Sequence, residues 1–271
     1  MLINVALTDT CKSMTEKDRI YKKVKSIIRK DGKKSSYIGE DDFVSLSKDG
    51  IKINFHIKNS ALDIQNLFRV VKRAQKIFND KFDYALETIE IDIYSSLSEM
   101  RSEGKSKSRY ASWIAGIYDG KIRLISGQDD EDPNAIYILL THEIVHLGIC
   151  EMASGRCPYW LDEGLAIYLS QELSVTYMER LRKALKEEKI LPLDILENSS
   201  VAEMEEPLRQ LVYSQVFSIT DYLVQSYGWE KVMSVTQQVR RRPIKTILSD
   251  FGLNYYLVEQ GWKRWLRNNI A

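Results

Sequence analysis

Two hydrophobic periods alternate along this chain until one of them takes over. Ile51-Lys-Ile-Asn-Phe-His-Ile57 is apolar at every second residue, the period of a half-buried strand. From Leu62 to Phe78 the spacing changes. Leu67, Val70, Val71, Ala74, Ile77 and Phe78 recur at three and four residues, which predicts a helix. Thr88 to Tyr94 alternates again around Ile89, Ile91 and Ile93. Trp113–Tyr118 and Lys121–Ser126 read as two strands joined at Asp119-Gly120, a dipeptide that accepts the positive φ of a tight hairpin turn. Helices follow over Ala135–Cys150 and Leu161–Gln171, and the remainder is helical with breaks at Pro192, Pro207, Gly228, Pro243 and Gly252. Strands and helices come first and helices alone afterwards, which predicts an α+β domain running into a helical part.

The first fifty residues have another character. Lysine dominates from Cys11 to Lys34, and Gly39-Glu-Asp-Asp42 then reverses the sign. Ile20, Tyr21, Val24, Ile27 and Ile28 share one face of a predicted helix with Lys22, Lys23, Lys25 and Arg29 around it, and Glu16 and Asp18 dilute the field. This reads as a surface helix with a solvated charged face. The expected organisation is a lysine-rich extension over 1–50, an α+β unit over 51–172 and a helical C-terminal unit over 173–271. Ser102–Ser108 is expected to be a mobile loop, and Asp129-Asp-Glu-Asp-Pro133 an acidic helix start rather than a calcium loop.

Composition narrows the function. The 39 basic and 38 acidic residues leave a formal charge of +1, without the basic excess of a nucleic-acid-binding surface, so no such partner is expected. The first ten residues show no signal-peptide pattern, and no window is expected to reach the about 20 apolar residues of a membrane helix. A soluble cytoplasmic protein is the expectation. Cys11, Cys150 and Cys157 make no disulfide framework, and the last two read as free thiols.

Chemistry concentrates in His142-Glu-Ile-Val-His146. Four residues apart on a helix, the two imidazoles share a face and can grip one metal ion, with Glu143 beside them. Two of the chain's three histidines lie in this motif. The third, His56, reads as an ordinary strand histidine. A catalytic zinc takes three protein ligands and leaves a fourth position open, so a carboxylate or a cysteine must complete the set. Glu163, in Trp160-Leu-Asp-Glu-Gly-Leu-Ala166 at the start of the next helix, is the natural candidate, and Cys150, four residues after His146, is a weaker one.

The pairing of His142-Glu-x-x-His146 with Trp160-Leu-Asp-Glu-Gly-Leu-Ala166 resembles the gluzincin metallopeptidases. The similarity is to the aminopeptidase-N-like branch and the bacterial peptidase MA-like domains, whose second motif reads Trp-Leu-Asn-Glu-Gly followed by a bulky residue and Ala. Sixteen residues separate His146 from Glu163, about two fewer than in the aminopeptidases. The resemblance spans roughly Ile51 to Leu266. It implies a zincin-like fold with a mixed sheet and an active-site helix. It also implies one zinc ion held by His142, His146 and Glu163, with Glu143 as general base. Val212-Tyr213-Ser214-Gln215 is similar to the family's tyrosine-bearing helix, which implies that the Tyr213 phenol supports the oxyanion. The implied activity is hydrolysis of peptide bonds in a peptide or protein substrate by a zinc-activated water.

One family element is absent. The Gly-Ala-Met-Glu-Asn strand that anchors a free amine is replaced by Ala115-Gly-Ile-Tyr-Asp-Gly120, so endopeptidase action is as well supported as aminopeptidase action. On the same analogy Lys121–Ile125 reads either as the edge strand that pairs with an extended peptide or as an ordinary strand of the sheet. The competing reading is a non-catalytic or regulatory relative that binds a peptide or protein partner. Retention of Glu143 and Tyr213 argues against it.

Overall fold

The alternating segments pair into one mixed sheet, and the helical segments pack over it. The computed structural model describes residues 35–38, 43–56, 64–103, 116–125, 133–172, 175–199, 201 and 204–270. The strands are β1 (Ser35–Ile38), β2 (Phe43–Lys48), β3 (Ile51–His56), β4 (Ile89–Tyr94), β5 (Gly116–Tyr118) and β6 (Ile122–Ile125). Their order is β1-β2-β3-β4-β6-β5. β3, β4 and β6 run parallel, whereas β1, β2 and β5 pair antiparallel with their neighbours. The helix α1 (Ile64–Phe82) makes the crossover from β3 to β4, as a parallel pair requires.

Period-two alternation separates the two faces of this sheet. Ile51, Ile53, Phe55, Ile89, Ile91, Ile93, Ile122 and Leu124 are all buried on the core face. Asn54, Asp92 and Arg123 alternate with them and meet on the other face. There Asn54 Nδ2 donates to Asp92 Oδ1 at 2.7 Å, and Lys121 Nζ lies 2.7 Å from Asp92 Oδ2. The short helix α2 (Leu97–Glu103) brings Met100 to Tyr94 and Ile125 in a smaller cluster on that side. The periodicity did not foretell this helix.

The core face is covered by α1 and α3 (Pro133–Ala153), the helix that carries both motif histidines. Gly148 lets the two helices close up, since a Cβ there would overlap the Phe78 ring. After α3 come α4 (Tyr159–Ser170), α5 (Val175–Lys186), α6 (Leu193–Glu197), α7 (Glu206–Tyr227), α8 (Trp229–Gln238), α9 (Ile244–Asp250) and α10 (Tyr255–Ile270). Pro192 and Pro243 stand just before α6 and α9, Pro207 lies in the first turn of α7, and Gly228 and Gly252 separate helices, so each expected break is a helix boundary. One continuous core cluster runs from Val44 in β2 to Leu266 in α10.

Several expectations change. The boundary at residue 50 falls inside the sheet, because β2 pairs with β3 along its length and buries Val44 and Leu46 in the common core. The strand 122–125 is not an edge. The hairpin at Asp119-Gly120 folds β5 back onto its outer side, so β6 lies between β4 and β5, and β5 is the edge. Among the described residues one stretch, Ala135–Ala153, is long and apolar enough to cross a membrane by length and composition, contrary to the expectation that none would be. More than half of it is buried within the protein, where a helix apolar on all sides belongs. The segments expected to form a lysine-rich helix around Ile20–Arg29, a loop beyond Glu103 and an acidic helix start before Pro133 lie outside the described residues.

Candidate metal centre

The fourfold spacing of His142 and His146 puts one imidazole above the other on α3, with Nε2 atoms 2.9 Å apart. Helix α4 lies across α3 and presents Glu163 to both. Glu163 Oε1 is 3.3 Å from His142 Nε2, and Oε2 is 3.5 Å from His146 Nε2. What holds α4 there is its buried face: Trp160, Leu161, Leu165 and Ala166 are all inside the core, and the Trp160 indole N–H donates to Tyr255 Oη at 3.3 Å. Gly164 brings α7 equally close, because its missing Cβ leaves room for Thr220 and the Val216 carbonyl.

His142, His146 and Glu163 offer ligand atoms within 4.8 Å of one another. A tetrahedral zinc with ligands about 2.0–2.1 Å away sets its donor atoms about 3.3–3.4 Å apart. In this triangle of residues the Nε2 atoms stand 2.9 Å apart, and each lies 3.3 or 3.5 Å from one of the two Glu163 oxygens, spacings close to that separation. Two nitrogens and one carboxylate oxygen are also a donor set that suits zinc. The residues fit the ion that the sequence implies.

Carboxylates surround this triangle. Asp162 Oδ2 lies 3.1 Å from His146 Nδ1 and Glu172 Oε2 lies 2.7 Å from His142 Nδ1. Burial by itself would lower both histidine pKa values. The field of Asp162 and Glu163 instead raises His146 to about 9, and Glu163 and Glu172 carry His142 well above its usual value. Glu163 shows the reverse balance. Its burial raises the pKa, but His146 and His142 outweigh that and lower it. This cluster stabilises positive charge at its centre, which a divalent cation supplies as well as protons do. Glu143 is buried and lines the same cleft. Burial raises its carboxyl pKa, against the two imidazoles, so it holds a proton more readily than an exposed glutamate.

The triangle opens into a cleft of 450 Å³. Its walls include β5, Cys150 and Cys157, and the phenols Tyr118, Tyr159 and Tyr213. Tyr213 therefore reaches the site, from two turns inside α7 rather than from the start of that helix. Tyr159 lies four residues before Glu163 on the same helix face. Its buried hydroxyl has no hydrogen-bond partner among the described residues, and burial with the Glu163 charge raises its pKa. Tyr168 is elsewhere, stacked on Trp229 at 6.2 Å. Both Cys150 and Cys157 are free thiols. Cys150 lies outside the ligand triangle, against the Tyr118 hydroxyl, and burial keeps the Cys157 thiol protonated. His56 ends β3, where its backbone pairs with Phe43.

The sequence offered Tyr159 and Tyr168 as substitutes for Tyr213, of which only Tyr159 lines the cleft, and it did not mark Asp162 or Glu172 as site residues. Asp162 could have been found only as the chain neighbour of Glu163. Glu172 gave no periodic signal, since it follows the end of the helix.

Residues 86–268 match the peptidase MA superfamily, more than half of the 271 in the chain. No curated protein matches the chain.

Proposed function

The chain belongs to the peptidase MA superfamily, and on that premise we propose that it is a zinc-dependent metallopeptidase. One zinc ion per chain is held by His142, His146 and Glu163, and Glu143 is the general base. The observation that carries this reading is the closed triangle of His142, His146 and Glu163 donor atoms beside the buried Glu143 carboxylate in an open cleft.

When bound, zinc supplies Lewis-acid chemistry, acidifying a water and polarising the scissile carbonyl. Glu143 takes the proton from the attacking water and later delivers it to the leaving nitrogen, a task its burial-raised pKa suits. Tyr213 donates a hydrogen bond to the oxyanion, a donor whose value is greatest in the transition state. Substrate lies extended along the outer edge of β5, whose residues 116–118 line the cleft. The Trp160-Leu-Asp-Glu-Gly motif supports a relationship to the aminopeptidase-N-like branch. The missing amine anchor at 115–120 supports cleavage within peptide chains.

The test is cleavage of a peptide library by the purified protein with and without a chelator. Cleavage that stops on chelation and returns with zinc is expected. Cleavage indifferent to chelation would overturn the mechanism. Zinc retention without any cleavage would favour the non-catalytic, partner-binding alternative.

A further inference from the structure

The two imidazoles are backed by carboxylates of different origin. Asp162, behind His146, is the chain neighbour of Glu163 and is fixed by the same turn of α4. Glu172, behind His142, lies two residues past Ser170, the end of that helix. The chain reaches it through Gln171, which adopts φ 60 and ψ 32 and caps the helix with an N–H to Ile167 O at 3.0 Å. A side chain in this left-handed region is uncommon outside glycine and asparagine. Here it stops the helix and folds residue 172 back over His142, where a further helical turn would carry it onward along the axis.

His142 Nδ1 is buried and has no aligned hydrogen-bond partner among the described residues, and the Glu172 carboxylate at 2.7 Å is the acceptor within reach. The Glu172 side chain is 41% exposed against 12% for His142, so it has the freedom to align without disturbing the core.

We infer that Glu172 is a positioning residue for His142, delivered by the left-handed cap at Gln171, and that it sets the affinity of the site for its metal. The inference rests on the metal-centre reading above. A neutral imidazole carries one N–H. A carboxylate at Nδ1 holds that hydrogen there and leaves the Nε2 lone pair facing His146 and Glu163. Without Glu172 the ring is free to place its hydrogen on Nε2, where it blocks the metal, or to rotate out of the triangle.

The test is zinc affinity by competition with a chromophoric chelator, together with the visible spectrum of the cobalt(II)-loaded protein. Loss of an outer carboxylate typically weakens metal binding about 10–100-fold, which is the effect expected of Glu172→Ala. Its thermal midpoint in excess chelator should match the parent's, since the side chain is half exposed. Glu172→Gln, whose amide oxygen still accepts from Nδ1, should fall between, with a cobalt spectrum nearer the parent's. Gln171→Gly, which keeps the left-handed turn, should bind zinc like the parent. If His142→Ala releases zinc but Glu172→Ala binds it as tightly as the parent, the positioning role is overturned and the metal centre stands. If the parent holds no zinc, or His142→Ala keeps it, the metal centre itself fails and the positioning role with it.

Discussion

Gly164 and Thr220 leave no room for a side chain between them: a Cβ on Gly164 would overlap the Thr220 hydroxyl and stand 2.5 Å from the Val216 carbonyl oxygen. This contact locks the helix that bears Glu163 to the helix that bears Tyr213. The backbone at Val216 cannot yield as the end of a flexible side chain can. Gly164→Ala should therefore lower stability by about 1–3 kcal/mol, the usual cost of overpacking a core. It should also weaken zinc binding by displacing Glu163. Thermal midpoint and zinc content measured on the same variant check both effects, and an unchanged midpoint would contradict the close approach.

Glu143→Gln should keep its zinc and lose nearly all peptidase activity. Glu143 stands outside the ligand triangle, so removing its charge spares the metal while abolishing the base. Elemental analysis and turnover, read together, decide it. A variant as active as the parent would mean another base.

Glu163→Ala should release the metal, whereas Cys150→Ser should not. The carboxylate closes the triangle at 3.3 and 3.5 Å, and Cys150 lies outside it, against Tyr118. The reverse outcome would move the third ligand to Cys150 and break the likeness to the gluzincins. Zinc titration of each variant is the measurement.

Tyr213→Phe should cut turnover on the order of 100-fold while leaving zinc content and thermal midpoint near the parent's. A core role for Tyr213 gives the opposite pattern, normal turnover with a lowered midpoint. Tyr159 would then be the next donor to examine, because its unpartnered hydroxyl lines the same cleft, and Tyr159→Phe would carry the kinetic loss instead.

Zinc should bind more tightly as pH rises from about 6 to about 9, because the metal competes with protons for the two imidazoles. His146 is raised to about 9 in the metal-free protein, so the folded chain holds its proton more tightly than the unfolded chain does. That stabilisation is complete below the unfolded value of about 6.5 and is lost as pH climbs through the folded one. The rise in thermal midpoint on adding zinc should accordingly be larger near pH 8.5 than near pH 6. Equal shifts at both would show that the imidazoles bind no protons in competition with the metal.

Local spacing and packing divide what determines this protein. The sequence by itself determined His142, Glu143 and His146 as a unit, because a separation of four residues on one helix fixes their geometry whatever surrounds it. It also determined the core strands and the helix breaks at proline and glycine, and it offered Glu163 as the natural third-ligand candidate with Cys150 as the weaker one. Tertiary structure alone decided the rest. Whether β5 or β6 forms the edge depends on which strand of the hairpin pairs with β4, and that pairing is not written in either strand's own pattern. Val44 and Leu46 carry an alternation that was legible, yet only their pairing with β3 draws residues 43–48 out of the lysine-rich segment and into the core. Tyr159 and Tyr168 lie on the same helix, but packing turns one toward the metal triangle and stacks the other on Trp229. Glu172 reaches His142 only because one residue, Gln171, leaves the helical region of φ and ψ, and no periodicity in the chain records a single backbone angle.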